Sequence, residues 1–227
     1  MKIVIDIGGS VLCSEGFPNS CYVKRLSKML VDLKEKGHTI VIVTGGGKLA
    51  RTYANVGREL EASEAYLDMV GIAATRMNAQ ILIAALGEHA YMNPVTSFEE
   101  LGQVLNYGKI IVLGGLIPGQ TTNAVAIEVA EYINAAIFIK ATDVKGIHTK
   151  DPKKHKSAKL LKTITTKQML NISMEGDFLA GKTSIMDPVA AKLMMRLIAK
   201  KIILDAHDIE NMRSAAEGKA FIGTEVV

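Results

Sequence analysis

Tryptophan is absent from the 227-residue chain, and aromatic residues of all kinds amount to only 5%. That shortage argues against a stacking platform for single-stranded nucleic acid. The two cysteines, Cys13 and Cys21, make neither a disulfide framework nor a metal site by themselves. They read as reduced thiols, as expected of a cytoplasmic protein. No uncharged apolar run approaches the roughly 18 residues of a membrane span. The opening MKIVIDIGGS is a short strand and a turn, too brief for a signal-peptide core. No one sign of charge dominates: 27 Lys and Arg against 23 Asp and Glu leave +4. That suits an anionic ligand but is too diffuse to argue for DNA. The densest basic cluster, KDPKKHK at 150–156, reads equally well as a solvated loop.

What is present is an alternation. KIVIDI (2–7), TIVIVT (39–44), KIIVLG (109–114), AIFIKA (136–141) and KIILD (201–205) are near-continuous apolar runs, the signature of buried parallel strands. Between them, 23–37, 48–60 and 124–135 carry apolar residues at helical spacing. Residues 66–87 read as a long, mostly buried helix, and 188–200 as another. The alternation predicts right-handed βαβ crossovers and an α/β fold in three layers, α/β/α, around a central, largely parallel sheet of eight or so strands. The whole chain reads as one domain. From about 142 to 186 it turns polar and weakly periodic, which fits a nucleotide-covering insertion or a surface excursion.

Four turns rich in glycine or threonine follow predicted strands: IGGS, GGGK, GGLIPGQTTN and ATDVKG. Ligands in open α/β sheets lie beyond the carboxyl ends of the strands, so all four gather at one edge. Each offers backbone N–H groups to phosphate oxygens, joined by the hydroxyls of Ser10, Thr121, Thr122 and Thr142. More than one phosphate is implied. The chain lacks G-x-x-x-x-G-K-[ST], and GGGKLAR fails G-x-G-x-x-G, which excludes a P-loop and a dinucleotide fingerprint. Phosphoryl transfer is the chemistry that needs mainly positioning and neutralised charge.

The runs DIGGSVL (6–12), TGGGKLAR (44–51), DMVGIAATRMNA (68–79), GGLIPGQTTNAVA (114–126), KATDVKGIHTKDPKK (140–154) and MDPVAAK (186–192) resemble the successive motifs of the amino acid kinase superfamily. Within it, they are most similar to archaeal-type UMP kinases. The resemblance implies transfer of the ATP γ-phosphoryl group to UMP to give UDP. It places Gly9, Ser10, Gly47 and Arg51 on ATP phosphates, and Thr142, Asp143, His148 and Asp151 along the adenine and ribose end. Gly46 would meet the UMP phosphate, Asp68 the UMP ribose, and the loop Leu116, Ile117, Pro118, Gly119, Gln120, Thr121 and Thr122 would close over UMP. Residues to about 140 would form the acceptor lobe and those from about 141 the ATP lobe. The resemblance further implies Mg²⁺ and a homohexamer built from dimers. It assigns no metal ligands.

Isopentenyl phosphate kinases resemble the chain overall but carry a histidine after the glycine run, where Arg51 stands here. A superfamily kinase for another small phosphorylated acceptor, or a catalytically silent nucleotide-binding protein, are the rival readings. The chain departs from the family pattern at Asn123 (commonly Asp), Lys145 (an acid), His148 (an aromatic) and Lys150 (a small residue). Many members of the superfamily also have a lysine at the position of Asp6. Lys48, which opens the helix after the glycines, is the first candidate for the cation on the moving phosphoryl group. Lys140 and Lys182 are the others. Asp187 reads as a helix N-cap or as the carboxylate that positions Mg²⁺ or a lysine. His38, His89 and His207 read as structural, and Met194 and Met195 as core.

Overall fold

The computed structural model describes residues 1–14, 17–150, 152, 154–174 and 185–227. Asp151 and Lys182 lie outside them. Strand β1 (Lys2–Ile7) passes through the one-turn helix α1 (Gly9–Leu12) and a hairpin, β2 (Cys13–Ser14) with β3 (Phe17–Pro18), into α2 (Ser20–Glu35). Then come β4 (Thr39–Thr44), α3 (Gly47–Glu59), α4 (Glu64–Leu86), α5 (Phe98–Val104), β5 (Ile111–Leu113), α6 (Thr122–Tyr132) and β6 (Ile137–Thr142). The chain closes with β7 (Thr163–Ile164), α7 (Thr166–Met174), α8 (Pro188–Met194), β8 (Lys200–Asp205), α9 (Ile209–Ala216) and β9 (Thr224–Val226).

Seven strands form the main sheet in the order β5-β4-β1-β6-β8-β9-β7. The first five are mutually parallel, and β9 runs antiparallel to β8. Alternate residues of each central strand face opposite layers, as the two-residue period requires. Ile3, Ile5 and Ile7 pack with α2, α4 and α9, whereas Val4 and Phe138 pack with α5, α6 and α8. Both faces are covered, which is why the strands are apolar at nearly every position. Seven strands agree with the eight or so that the sequence suggests, and 13–14 and 17–18 pair apart from the main sheet.

The predicted helix over 188–200 ends at Met194. The N–H groups of Met195, Arg196 and Leu197 turn back to carbonyls three residues earlier, and Lys200 already opposes Ile137 in the sheet. Met194 is buried as expected, but Met195 is 45% exposed and is not core. The polar region after 142 holds β7 and α7.

Helix α4 differs most from expectation. Ser63 caps it, its Oγ accepting from Tyr66 N, and Leu67, Ala74, Ala79, Leu82 and Leu86 pack inward. Tyr66, Met69, Met77 and Ile81 remain exposed, so the helix is half-covered rather than mostly buried. Its mean hydropathy of 1.4 makes it the one helix among the described residues apolar and long enough to cross a membrane. Its packing on α3, α2, β4 and β5 accounts for the apolar residues on its inner face.

Candidate active site

The loops after β1, β4, β5 and β6 converge at the carboxyl edge of the sheet, as the alternation of strands and helices requires. Here lies a cleft of about 290 Å³, lined by Gly8, Gly9, Ser10, Gly45, Gly46, Gly47, Arg51, Thr122, Asn123, Lys140, Thr142, Asp143 and Ile185. The first two glycine turns touch each other. A Cβ on Gly9 would stand 2.3 Å from Gly47 N, and one on Gly47 would stand 2.5 Å from Gly9 C. Gly47 also has φ +64°, the left-handed region that side chains disfavour. Two backbones in contact therefore account for glycine at these positions.

Helix α4 holds these turns from beneath. Thr75 and Asn78 are three apart and so share one face. Asn78 Nδ2 donates to Gly45 O at 2.7 Å, and its Oδ1 accepts from Cys13 Sγ. Thr75 Oγ1 accepts from Gly115 N at 2.7 Å, while Thr44 Oγ1 donates to Thr75 O at 2.9 Å. The run TRMNA is therefore a scaffold for the ends of β4 and β5, and its threonine and asparagine satisfy backbone groups that would otherwise be buried unpaired.

On the floor of the cleft is a charged chain. Lys140 and Asp6 oppose each other on adjacent strands, with Nζ 3.0 Å from Oδ2. Lys140 Nζ also donates to Asn123 Oδ1 at 2.6 Å. Asn123 Nδ2 reaches Asp187 Oδ2 at 3.4 Å, and Thr121 Oγ1 donates to the same oxygen at 2.5 Å. Asp187 Oδ1 accepts from Ala190 N, so the residue is indeed the N-cap of α8 and also the tie to the start of α6. Burial pushes the Asp6 carboxyl above the usual range, against the pull of the Lys140 ammonium. Such a pair persists only because each partner holds the other; removing one would strand a buried charge. An acid and a base in otherwise apolar strands mark both residues in the sequence, but only the register of β1 and β6 shows that they pair.

The remaining expected residues divide. Gly9, Ser10, Gly46, Gly47, Arg51, Thr122, Thr142 and Asp143 all line the one cleft, but Lys48 points to solvent and is not among its walls. His148 bonds its own turn, Nδ1 to Gly146 O at 2.9 Å, and lies outside the cleft walls. Asp68 Oδ2 accepts from Gly119 N at 2.7 Å, fastening the 116–122 loop to α4. Leu116, Ile117 and Gln120 border a groove on the α6 side, whereas Leu116 and Pro118 border another on the α4 side. His207 pairs with Asp205, and His38 meets the N-terminus.

A sequence model of the Amino acid kinase family matches residues 1–205. The chain belongs to this family. It is 42% identical over 204 residues to a uridylate kinase of Methanocaldococcus jannaschii, covering 90% of each chain. With a uridylate kinase of Thermococcus kodakarensis it shares 40% over 219 residues, 96% of each. Its structure superposes on the crystal structure of a uridylate kinase from Archaeoglobus fulgidus with a TM-score of 0.88, at 36% identity and over 100% of both chains.

Proposed function

We propose that this chain is an ATP-dependent UMP kinase, catalysing ATP + UMP → ADP + UDP. The observation that carries the reading is the single cleft where both glycine turns, Arg51 and Lys140 meet; the loop 116–122, called the strap below, enters it at Thr122. The uridylate kinase relatives, similar along almost the whole chain, supply the acceptor's identity.

The chemistry follows from the residues. The acceptor phosphate is already an anion, so no general base is needed to deprotonate it. The protein must hold two anionic phosphates close together and compensate their charge. Backbone N–H groups of the two glycine turns and the Arg51 fork serve the ATP phosphates, and the N–H groups around Gly46 serve the UMP phosphate. Among the described lysines, Lys140 rather than the solvent-facing Lys48 lines the cleft, and it is the one we assign to the transferring phosphoryl group. Thr142 and Asp143 serve the nucleoside end of ATP, so that the acceptor lobe extends to about 140 and the donor lobe follows it. Asp68 meets the ribose of UMP, and the strap covers its base.

Mg²⁺ fits this arrangement. That ion asks for one or two carboxylates and completes its shell with phosphate oxygens and waters. Asp187, tied to Asn123 beside the cleft, is the carboxylate that would hold it; the ion would neutralise charge on the triphosphate. The exposed apolar residues Tyr66, Met69, Met77 and Ile81 of α4, with Tyr53 and Val56 of α3, form a face suited to a second copy of the chain. Pairing through it would give the dimers from which a hexamer is built.

The test is a coupled assay of ADP release over a panel of nucleoside monophosphates. UMP should be preferred, CMP poor, and AMP and GMP poorer still, because short backbone and hydroxyl groups of the strap match a pyrimidine edge. A comparable kcat/KM for AMP would overturn the assignment.

A further inference from the structure

Three successive residues of the strap each donate to a carboxylate on a different helix or helix cap. Gly119 N reaches Asp68 Oδ2 at 2.7 Å, Gln120 Nε2 reaches Glu128 Oε2 at 2.6 Å, and Thr121 Oγ1 reaches Asp187 Oδ2 at 2.5 Å. At its ends the segment is anchored, Leu116 packing on the core and Thr121 capping α6, and between them these bonds are its main support. It runs between two open grooves of about 640 and about 520 Å³, sharing Leu116 with both, and Ile117 is 58% exposed. Gly119 has φ +76°, a turn that its missing side chain cannot brace by packing.

A segment that reads its ligand through backbone groups discriminates only while that backbone is held still. Two of the three tethers belong to groups with other work. Asp68 is to meet the acceptor ribose, so the carboxylate that accepts from Gly119 N would also have to turn to accept from a ribose hydroxyl. Asp187 is committed at the phosphoryl end, where it also caps α8. The bond from Gln120 to Glu128 is the one whose carboxylate has no assigned contact with either substrate. It lies on the α6 side of the strap, opposite Asp68, and ties the strap to the second turn of a helix whose neighbouring residues Ile127 and Val129 are fully buried. Its acceptor is a carboxylate, so the bond is of the stronger, charge-assisted kind.

We propose that Glu128 is a positioning residue of the acceptor site: through Gln120 it keeps the strap in place when Asp68 turns to the ribose, and thereby sets acceptor affinity and choice. The proposal rests on reading 116–122 as the acceptor strap.

Two measurements on the full-length chain test it. In the ligand-free protein, Glu128→Ala should raise amide hydrogen exchange at Gly119, Gln120 and Thr121 by about tenfold, the opening allowed by losing one charge-assisted bond. Exchange in the central strands should not change. In kinetics, Glu128→Ala should raise the UMP KM about tenfold while kcat and the ATP KM stay within about twofold. Glu128→Gln, whose amide oxygen still accepts, should recover most of the loss, and Gln120→Ala should match Glu128→Ala, with the double variant no worse than either. Unchanged strap exchange, or an unchanged UMP KM in an enzyme that phosphorylates UMP, overturns the proposal alone. A general rise in both KM values with a lowered Tm also overturns it, because Glu128 would then be structural. A wild-type chain that does not phosphorylate UMP overturns the reading of function, and the proposal falls with it.

Discussion

Lys140 and Asp6 are register partners on adjacent parallel strands, and the ammonium they share with Asn123 lies at the floor of the cleft. Lys140 is only 6% exposed and Asp6 fully buried, so the cation is held fixed before any nucleotide arrives. A preorganised cation aimed at developing charge is worth about 3–4 kcal/mol, or roughly 10²–10³ in rate. Lys140→Met should therefore lower kcat by about that factor with smaller changes in nucleotide Kd, while Lys48→Ala should keep a near-normal kcat. Steady-state rates alongside calorimetric Kd values check this, and an equal loss in Lys48→Ala would return the role to Lys48. Because the substitution strands Asp6, a fall in Tm should accompany it.

The contact between the two glycine turns makes a second prediction. Gly47→Ala forces a side chain into φ +64° and against the Gly9 carbonyl carbon. The backbone term alone costs about 1–2 kcal/mol, so denaturant unfolding should show at least that loss before any effect on ATP is read. Gly71→Ala meets nothing within 4 Å and should be neutral or slightly stabilising, the helical control. A Gly47→Ala protein with wild-type stability would contradict the observed packing.

Asp68 joins strap and helix, and it is expected to lose part of that bond to the acceptor. Asp68→Asn should raise the UMP KM about tenfold, with the ATP KM little changed. It should also narrow the preference for UMP over dUMP, since a weaker acceptor gains less from a ribose hydroxyl. A ratio of kcat/KM for the two acceptors that is unaltered by the variant would remove Asp68 from the ribose.

The uncovered face of α4 predicts self-association. Met69 and Met77 are each 57% exposed, eight residues apart and hence on the same side of the helix. Met77→Glu places a charge in any interface formed there and should shift the particle to a smaller assembly by light scattering. If the wild-type chain is monomeric at micromolar concentration, the face has another use.

Acid stability offers a fifth test. Glu217, bonded to Lys36 and to Lys219, has its carboxyl pulled down from 4.5 to about 2 by those two ammonium groups. A depressed carboxyl contributes stability that is complete above the unfolded value near 4.5 and disappears as pH falls through about 2. The Tm difference between wild type and Glu217→Gln should therefore hold steady above about pH 5 and shrink toward pH 2. Added salt should diminish it, since the network lies at the surface. A difference independent of pH would mean that Glu217 acts by packing alone.

How far the sequence reached can be judged from individual residues. The runs 2–7, 39–44 and 136–141 are strands within one residue of where their β-branched composition put them, because a strand buried on both faces has no polar positions to blur its ends. The glycine turns were likewise readable, since only a few residue types tolerate a left-handed φ or touching backbones. The two-residue strands and α7 were not, for they are too short to show a period and take their form from the edges they pair with.

Within the site, chain order located Gly9, Gly46, Gly47, Arg51 and Thr142 near one sheet edge, since every βα turn of a parallel sheet emerges there. Among the lysines it put Lys48 first. Lys48 stands beside the glycines in sequence, yet helix α3 begins at Gly47 and turns its side chain to solvent; Lys140, nearly a hundred residues later, meets the same cleft because β6 pairs with β1. Local pattern determines which residues make strands, helices and turns, since those depend on backbone preference and the period of burial. Which charges face one another across the sheet depends on strand order and register, and only the tertiary structure decides those.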